Sequence, residues 1–128
     1  MNKGTSRFSN LELRLLEFAI ACVDLSEKLS NNFAGRHFKG QLIRSGTSPA
    51  LNYAEGRYAE SKKDFIHKAK IVLKELHETN VCLHIIARTK TIRGKESLDP
   101  IMQECNELIA IFVTSVKTAQ RNMKSIAS

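Results

Sequence analysis

The sequence predicts an all-α fold of four antiparallel helices, and three observations carry that reading. Apolar residues recur every three or four positions in four segments, near 10–32, 36–56, 61–90 and 98–125, which is the spacing of one helix face. The connections between them are short, so each segment has room only to turn back on the one before. Gly56 and Gly94 interrupt the pattern, as residues at helix ends do. The 128 residues form a single domain over 1–128, with an ordered core of about 10–125, long enough to bury one core but not two.

In the first segment, Leu11, Leu15, Phe18, Cys22, Leu25 and Leu29 step by four and three, and Leu16, Ile20 and Val23 widen the stripe. That is the pattern of a core-facing helix, with Ser9 or Asn10 as its cap. The second segment contains "RSGTSPALNYAEG", helix breakers and polar groups amid helical periodicity. An interior proline costs about 3 kcal/mol, so Ser48 is expected to act as an N-cap and Pro49 to restart a helix kinked there. Gly56 then supplies a left-handed stop. Arg44, Ser48, Leu51 and Glu55 fall on one face, and Ser45, Pro49, Asn52 and Gly56 on the next. Such a small polar face suits close contact with another helix, with Arg44 and Glu55 paired directly or across a subunit boundary.

The third segment opens on "SKKD", the spacing of a capping box at Ser61 and Asp64. Phe65, Ala69, Val72, Leu76, Thr79, Leu83 and Ile86 make its seam. The fourth opens on "SLDP", with Asp99 as cap and Pro100 in the first turn. It continues through Ile101, Cys105, Leu108, Phe112, Val116 and Ala119. Glu104 and Glu107 lie early and Lys117, Arg121 and Lys124 late, which suits the helix dipole.

Hydrophobic residues at 42% and charged residues at 26% are globular values and exclude disordered and fibrous classes. No run of about 18 apolar residues is long enough to span a bilayer, and "MNKGTSRFSN" lacks the apolar centre of a signal peptide. The chain is expected in the cytoplasm, away from membranes. Cys22, Cys82 and Cys105 are far apart in sequence and form no C-x-x-C pair, so they are read as reduced packing residues.

The net charge of +7 is localised. Residues 1–34 carry four basic and four acidic groups and residues 99–128 three of each, so residues 35–98 hold the other thirteen basic and six acidic groups. A concentrated excess points to an anionic partner. Within it, Lys63, His67, Lys70, Lys74, His77, His84 and Arg88 recur at helical steps, with Val81 in the one gap. They cluster opposite the seam as a basic rod running roughly 37 Å, enough to cross several phosphates.

Enzyme signatures are missing. His37, His67, His77 and His84 include no i, i+4 pair, and neither H-E-x-x-H nor a glycine-rich phosphate loop occurs. No metal, cofactor or catalytic residue is expected, and Glu55 beside Arg44 is the one carboxylate singled out for a perturbed environment. With two tyrosines and no tryptophan, base stacking has little support.

"QLIRSGTSPALNYAEG" followed by "SKKDFIHKAKIVLKELHET" resembles the signature of the 23S rRNA intervening-sequence proteins, a family of small four-helix bundles. The shared features are an Arg-Ser pair, a serine-rich turn with proline, an asparagine, a closing Ala-Glu-Gly and a helix starting Lys-Asp-Phe. Here they are Arg44, Ser45, Ser48, Asn52, Ala54, Glu55, Gly56, Lys63, Asp64 and Phe65. Many members read Ser-Ile-Pro-Ala-Asn, whereas Pro49 directly follows Ser48 here. The resemblance implies an up-down-up-down bundle associating into homopentameric rings, with the second helix and its neighbours at the interface. The family's genes were first noticed within insertions in ribosomal RNA genes, and its biochemical role is poorly defined. A structural cousin, the accessory variability determinant of diversity-generating retroelements, is a basic pentamer that binds nucleic acid and a reverse transcriptase. A reverse transcriptase partner for this chain follows by fold analogy alone.

Two readings result. One is a nucleic-acid-binding accessory protein for structured RNA or an RNA-protein complex, with DNA as the alternative polyanion. The other is a structural or protein-interaction oligomer whose basic surface keeps it soluble or docks an acidic protein.

Overall fold

The structure is a computed structural model and describes residues 8–127. It contains α1 (Asn10–Ser26), α2 (Phe33–Arg57), α3 (Lys62–Ala87) and α4 (Leu98–Ala127). Each helix packs on the next, and α4 closes back on α1 more lightly. The result is the up-down-up-down antiparallel four-helix bundle. Its core is built from Leu15, Phe18, Cys22 and Leu25 of α1, Leu42 of α2, Val72, Leu76, Leu83 and Ile86 of α3, and Cys105, Leu108 and Phe112 of α4.

α1 starts as a full capping box. The Ser9 hydroxyl accepts from the Glu12 amide and the Glu12 carboxylate accepts from the Ser9 amide, both at 3.1 Å. The helix stops at Ser26, short of the expected 32. Leu29 is nevertheless buried, because it pairs as an isolated bridge with Ile92 of the α3–α4 loop. Ser30 N–H donates to Thr91 O at 2.7 Å and Arg93 N–H to Lys28 O at 3.3 Å. The apolar periodicity that extends α1 and α3 in the sequence thus continues into two loops tied together at one end of the bundle. Asn32 then caps α2, accepting from the Gly35 amide at 2.9 Å. A Cβ on Gly35 would lie 1.7 Å from Ser30 O.

Within α2 the expected restart does not occur. The helix runs through Pro49 as one element, so Ser48 is not an N-cap. The surrounding polar side chains bond to the helix itself. Ser45 and Thr47 hydroxyls donate to Gln41 O and Ile43 O at 2.9 and 2.7 Å, and Asn52 Nδ2 donates to Ser48 O and Oγ at 3.0 and 2.9 Å. The polar groups beside the donor-free proline are therefore satisfied locally. Gly56 is not the left-handed stop either. Among the described residues only Gly94 has positive φ, at 77°, and the helix passes through Gly56 to a cap at Tyr58.

Gly56 instead permits close packing: a Cβ there would sit 3.0 Å from Lys68 Cβ of α3. Gly46 does the same toward α1, where a Cβ would lie 2.6 Å from both Cβ and Sγ of Cys22. With Ser45 and Pro49 also buried, α2 is the thin helix on which its two neighbours close. α1 shows the converse. Ile20 and Val23, expected to widen the core stripe, are 51% and 36% exposed.

The remaining two helices follow their sequence signals closely. Ser61 caps α3, accepting from the Asp64 amide at 3.1 Å, while Ile66 and Cys82 join the buried seam and Phe65 is only half-buried. α4 begins at Leu98, which places Asp99 inside the first turn instead of at the cap. Pro100 lies in that same turn, where a missing donor is tolerated.

All three thiols are buried. Burial pushes the Cys82 thiol up to about 11 and Cys105 to about 12, and Cys22 higher still, with the two other cysteines adding to the effect. At neutral pH they stay protonated and weakly nucleophilic.

Three outcomes follow from this packing. Gly46→Ala should lower stability by about 1–3 kcal/mol through overpacking against Cys22, read as a lower urea midpoint at unchanged slope. Gly40→Ala, with nothing within 4 Å of the new Cβ, should raise stability by up to about 1 kcal/mol. Alkylation of the native protein should be slow at all three cysteines and become complete only in denaturant.

Candidate nucleic-acid interface

The α3 stripe is built by a helix whose other side is pinned in the core by Val72, Leu76, Leu83 and Ile86. Lys63, His67, Lys70, Lys74 and His77 are exposed, His84 is half-buried, and Arg88 is exposed as the C-cap residue just beyond the helix. Val81, in the gap of the pattern, is 58% exposed.

Ion pairing separates these cations from Arg14, Arg44, Arg57 and Lys68. Arg14 of α1 holds Glu104 and Glu107 of α4, Arg57 of α2 holds Glu12 of α1, and Lys68 of α3 holds Glu55 of α2. Arg44 reaches Glu75 at 3.2 Å and Glu78 at 2.7 Å on α3. These are bridges between neighbouring helices. Among the described residues, no carboxylate lies within 4.0 Å of Lys63, Lys70, Lys74 or Arg88.

The second-helix residues take different places. The expected Arg44–Glu55 pair is not formed within the chain, because α3 supplies a separate partner to each. Arg44 and Glu55 are exposed, Ser48 and Asn52 half-buried, and Ser45 and Gly56 buried in the chain's own packing. The carboxylates with a perturbed environment are Glu75 and Glu78. Burial, reinforced by the Glu78 carboxylate, pushes the Glu75 pKa above the ordinary value, whereas the hydrogen bond from Arg44 holds Glu78 below its own.

Two surface grooves flank the stripe. One, of about 710 Å³, lies between α2 and α3 with Phe38, Val81, Cys82 and Ile85 on its floor and Lys74 and His77 at its edge. The other, of about 480 Å³, brings Lys124 of α4 beside Lys63. Lys124 is a cation the sequence assigns only to helix-dipole compensation, and no linear spacing connects it with Lys63. Of the tyrosines, Tyr53 is taken up by edge contacts with Phe65 and Phe112, whereas Tyr58, just before α3, is 80% exposed. Among the described residues, no three His, Cys, Asp or Glu side chains are arranged to hold a metal ion, and no helix is long and apolar enough to cross a membrane. The arrangement suits charge contact with phosphates and offers few groups for reading bases.

The comparisons with known proteins agree with this architecture. A crystal structure of a protein of unknown function from the S23 ribosomal protein family of Bacteroides thetaiotaomicron VPI-5482 superposes with a TM-score of 0.76 at 34% identity, covering 84% of this chain and 98% of that one. No curated protein matches. The sequence model of the 23S rRNA-intervening sequence proteins matches residues 13–114. With most of the bundle inside that match, the chain belongs to the 23S rRNA-intervening sequence protein family.

Proposed function

We propose that this chain is a non-enzymatic, oligomeric helical-bundle protein of the cytoplasm that binds structured RNA or an RNA-protein complex through the basic face of α3. The observation that carries the reading is the division of labour among the cations. Those that bridge helices are paired with carboxylates, and those of the α3 stripe are left to solvent. Unpaired cations along one rigid helix neutralise phosphates by displacing counterions, without base-specific contacts. The family's name and the ribosomal family of the Bacteroides neighbour agree with an RNA partner. Assembly into a closed ring, of five chains as the resemblance implies, would add the fields of several stripes. The reading requires no cofactor or metal.

A second reading, an oligomer that docks proteins and binds no nucleic acid, is favoured by the exposed apolar residues Phe33, Ile20 and Leu51.

Fluorescence anisotropy with a labelled RNA hairpin, a single strand and a DNA duplex, over a salt series, separates the two. Binding should be tolerant of sequence and fall steeply with salt, with each phosphate contact worth about 0.7 in the log–log slope for single strands and 0.9 for duplex DNA. The Lys63, Lys70, Lys74 and Arg88→Gln quadruple variant should lose binding while its circular dichroism stays that of the parent. Undiminished affinity in that variant would overturn the α3 face as the binding surface, and no binding by the parent at low salt would favour the second reading.

A further inference from the structure

α1 is more apolar than its own bundle requires. Leu13, Leu16, Ile20, Val23 and Glu27 step by three and four along its outer side, with Leu13 and Leu16 half-buried, Ile20 and Val23 exposed, and Glu17 and Asp24 exposed alongside. Among the described residues no cation lies within 4.0 Å of Glu17, Asp24 or Glu27. One surface is therefore an apolar ridge edged by unpaired acids. Elsewhere on the bundle, the α2–α3 groove is lined by the apolar Phe38, Val81 and Ile85, by Lys74 and His77, and by the mutually paired Arg44 and Glu78, with Arg88 beyond Ile85. With Glu78 neutralised by Arg44, Lys74 and Arg88 give the groove side the charge opposite to that of the ridge.

We propose that the α1 ridge of one copy seats in the α2–α3 groove of the next. The inference rests on the self-assembly part of the proposed function and specifies its contact. Two different patches make a head-to-tail interface, which closes into a ring when the rotation permits. Register supports the match. α1 and α3 run parallel in this topology, and both end where the Leu29–Ile92 bridge joins their following loops. Both rise equally per residue, so Ser26 of α1 and Ala87 of α3 fix the levels to within a turn.

Rotation about an axis parallel to the bundle preserves those levels between copies. Ile20 then stands level with Val81, the most exposed apolar residue of the groove floor. Val23 and Asp24 stand level with Ile85, and Glu27, the α1 C-cap, with Arg88, the α3 C-cap. Leu13 comes level with Lys74. Glu17 comes level with Glu78, whose carboxylate is already held by Arg44. α1 begins at Asn10, level with Ile71, so the ridge covers the C-terminal half of the α3 stripe and leaves Lys63, His67 and Lys70 open to an anion. The stripe is thereby divided between assembly and binding.

Light scattering of the purified chain at micromolar concentration, followed through dilution, tests the contact. The parent should have a mass several times the 14.4 kDa of one chain. Ile20→Asp and Val81→Asp should each reduce it to one chain with unchanged helix content, since both side chains face solvent in the single bundle. Glu27→Arg and Arg88→Glu should each weaken assembly by on the order of tenfold, and the two together should restore most of it. A parent that assembles while both aspartate variants also assemble, or a charge swap that restores nothing, would overturn this contact and leave oligomerisation standing. A monomeric parent would instead remove the oligomer reading itself.

Discussion

Gly46 leaves no space between α1 and α2, and the rest of the bundle is arranged around that contact. With Cys22 where a side chain on Gly46 would go, α1 is drawn against the middle of α2, and Gly56 lets α3 approach from the other side. An interhelical distance set by a glycine is short, so the core between the helices needs few bulky residues from α2. Leu42 is its one member of the central cluster, and α1, α3 and α4 supply the rest. The three thiols sit in that packed interior as small apolar fillers, and their inertness follows from the depth at which the glycines place them.

Electrostatics then sorts the surface. Cations near a seam between helices find carboxylates across it, as Arg14, Arg44, Arg57 and Lys68 do. Such exposed pairs contribute little individually, yet together they account for many of the carboxylates near the seams. The α3 face directed away from both neighbours receives none. A local excess of positive charge thus arises from geometry as much as from composition. Among the described residues, the same sorting leaves Glu17, Asp24 and Glu27 of α1 without a cation within 4.0 Å.

The number, order and faces of the helices were legible because amphipathic spacing and capping are local signals. The Ser9 and Ser61 caps, the α4 seam and the outward α3 stripe all rest on side chains within a turn or two of one another. What escaped was set by partners distant in sequence. Leu29 reads as a helical residue because its spacing continues the α1 pattern, yet its burial depends on Ile92. Ile20 and Val23 read as core because a single sequence does not distinguish an apolar side buried in its own bundle from one left outside it. Gly56 reads as a terminator by its usual conformational role, whereas here its missing side chain matters for α3. Pro49 reads as a break by its usual helix cost, yet α2 continues through it, packed between two neighbouring helices. Arg44 and Glu55 share a face of α2, and only the placement of Glu75, Glu78 and Lys68 shows why they do not pair.

The bridge between Leu29 and Ile92 also bears on how the chain becomes a single cooperative unit. Most contacts in an up-down-up-down bundle join helices adjacent in sequence, a topology of low contact order that forms quickly. Those contacts already join the α1–α2 and α3–α4 hairpins along their length, because α2 packs more extensively on α3 than on any other helix. The bridge fastens the turn of one hairpin to the turn of the other through two backbone hydrogen bonds, closing a long loop at an entropic cost that grows only slowly with length. Opening the bundle at that end then exposes Leu29 and Ile92 together.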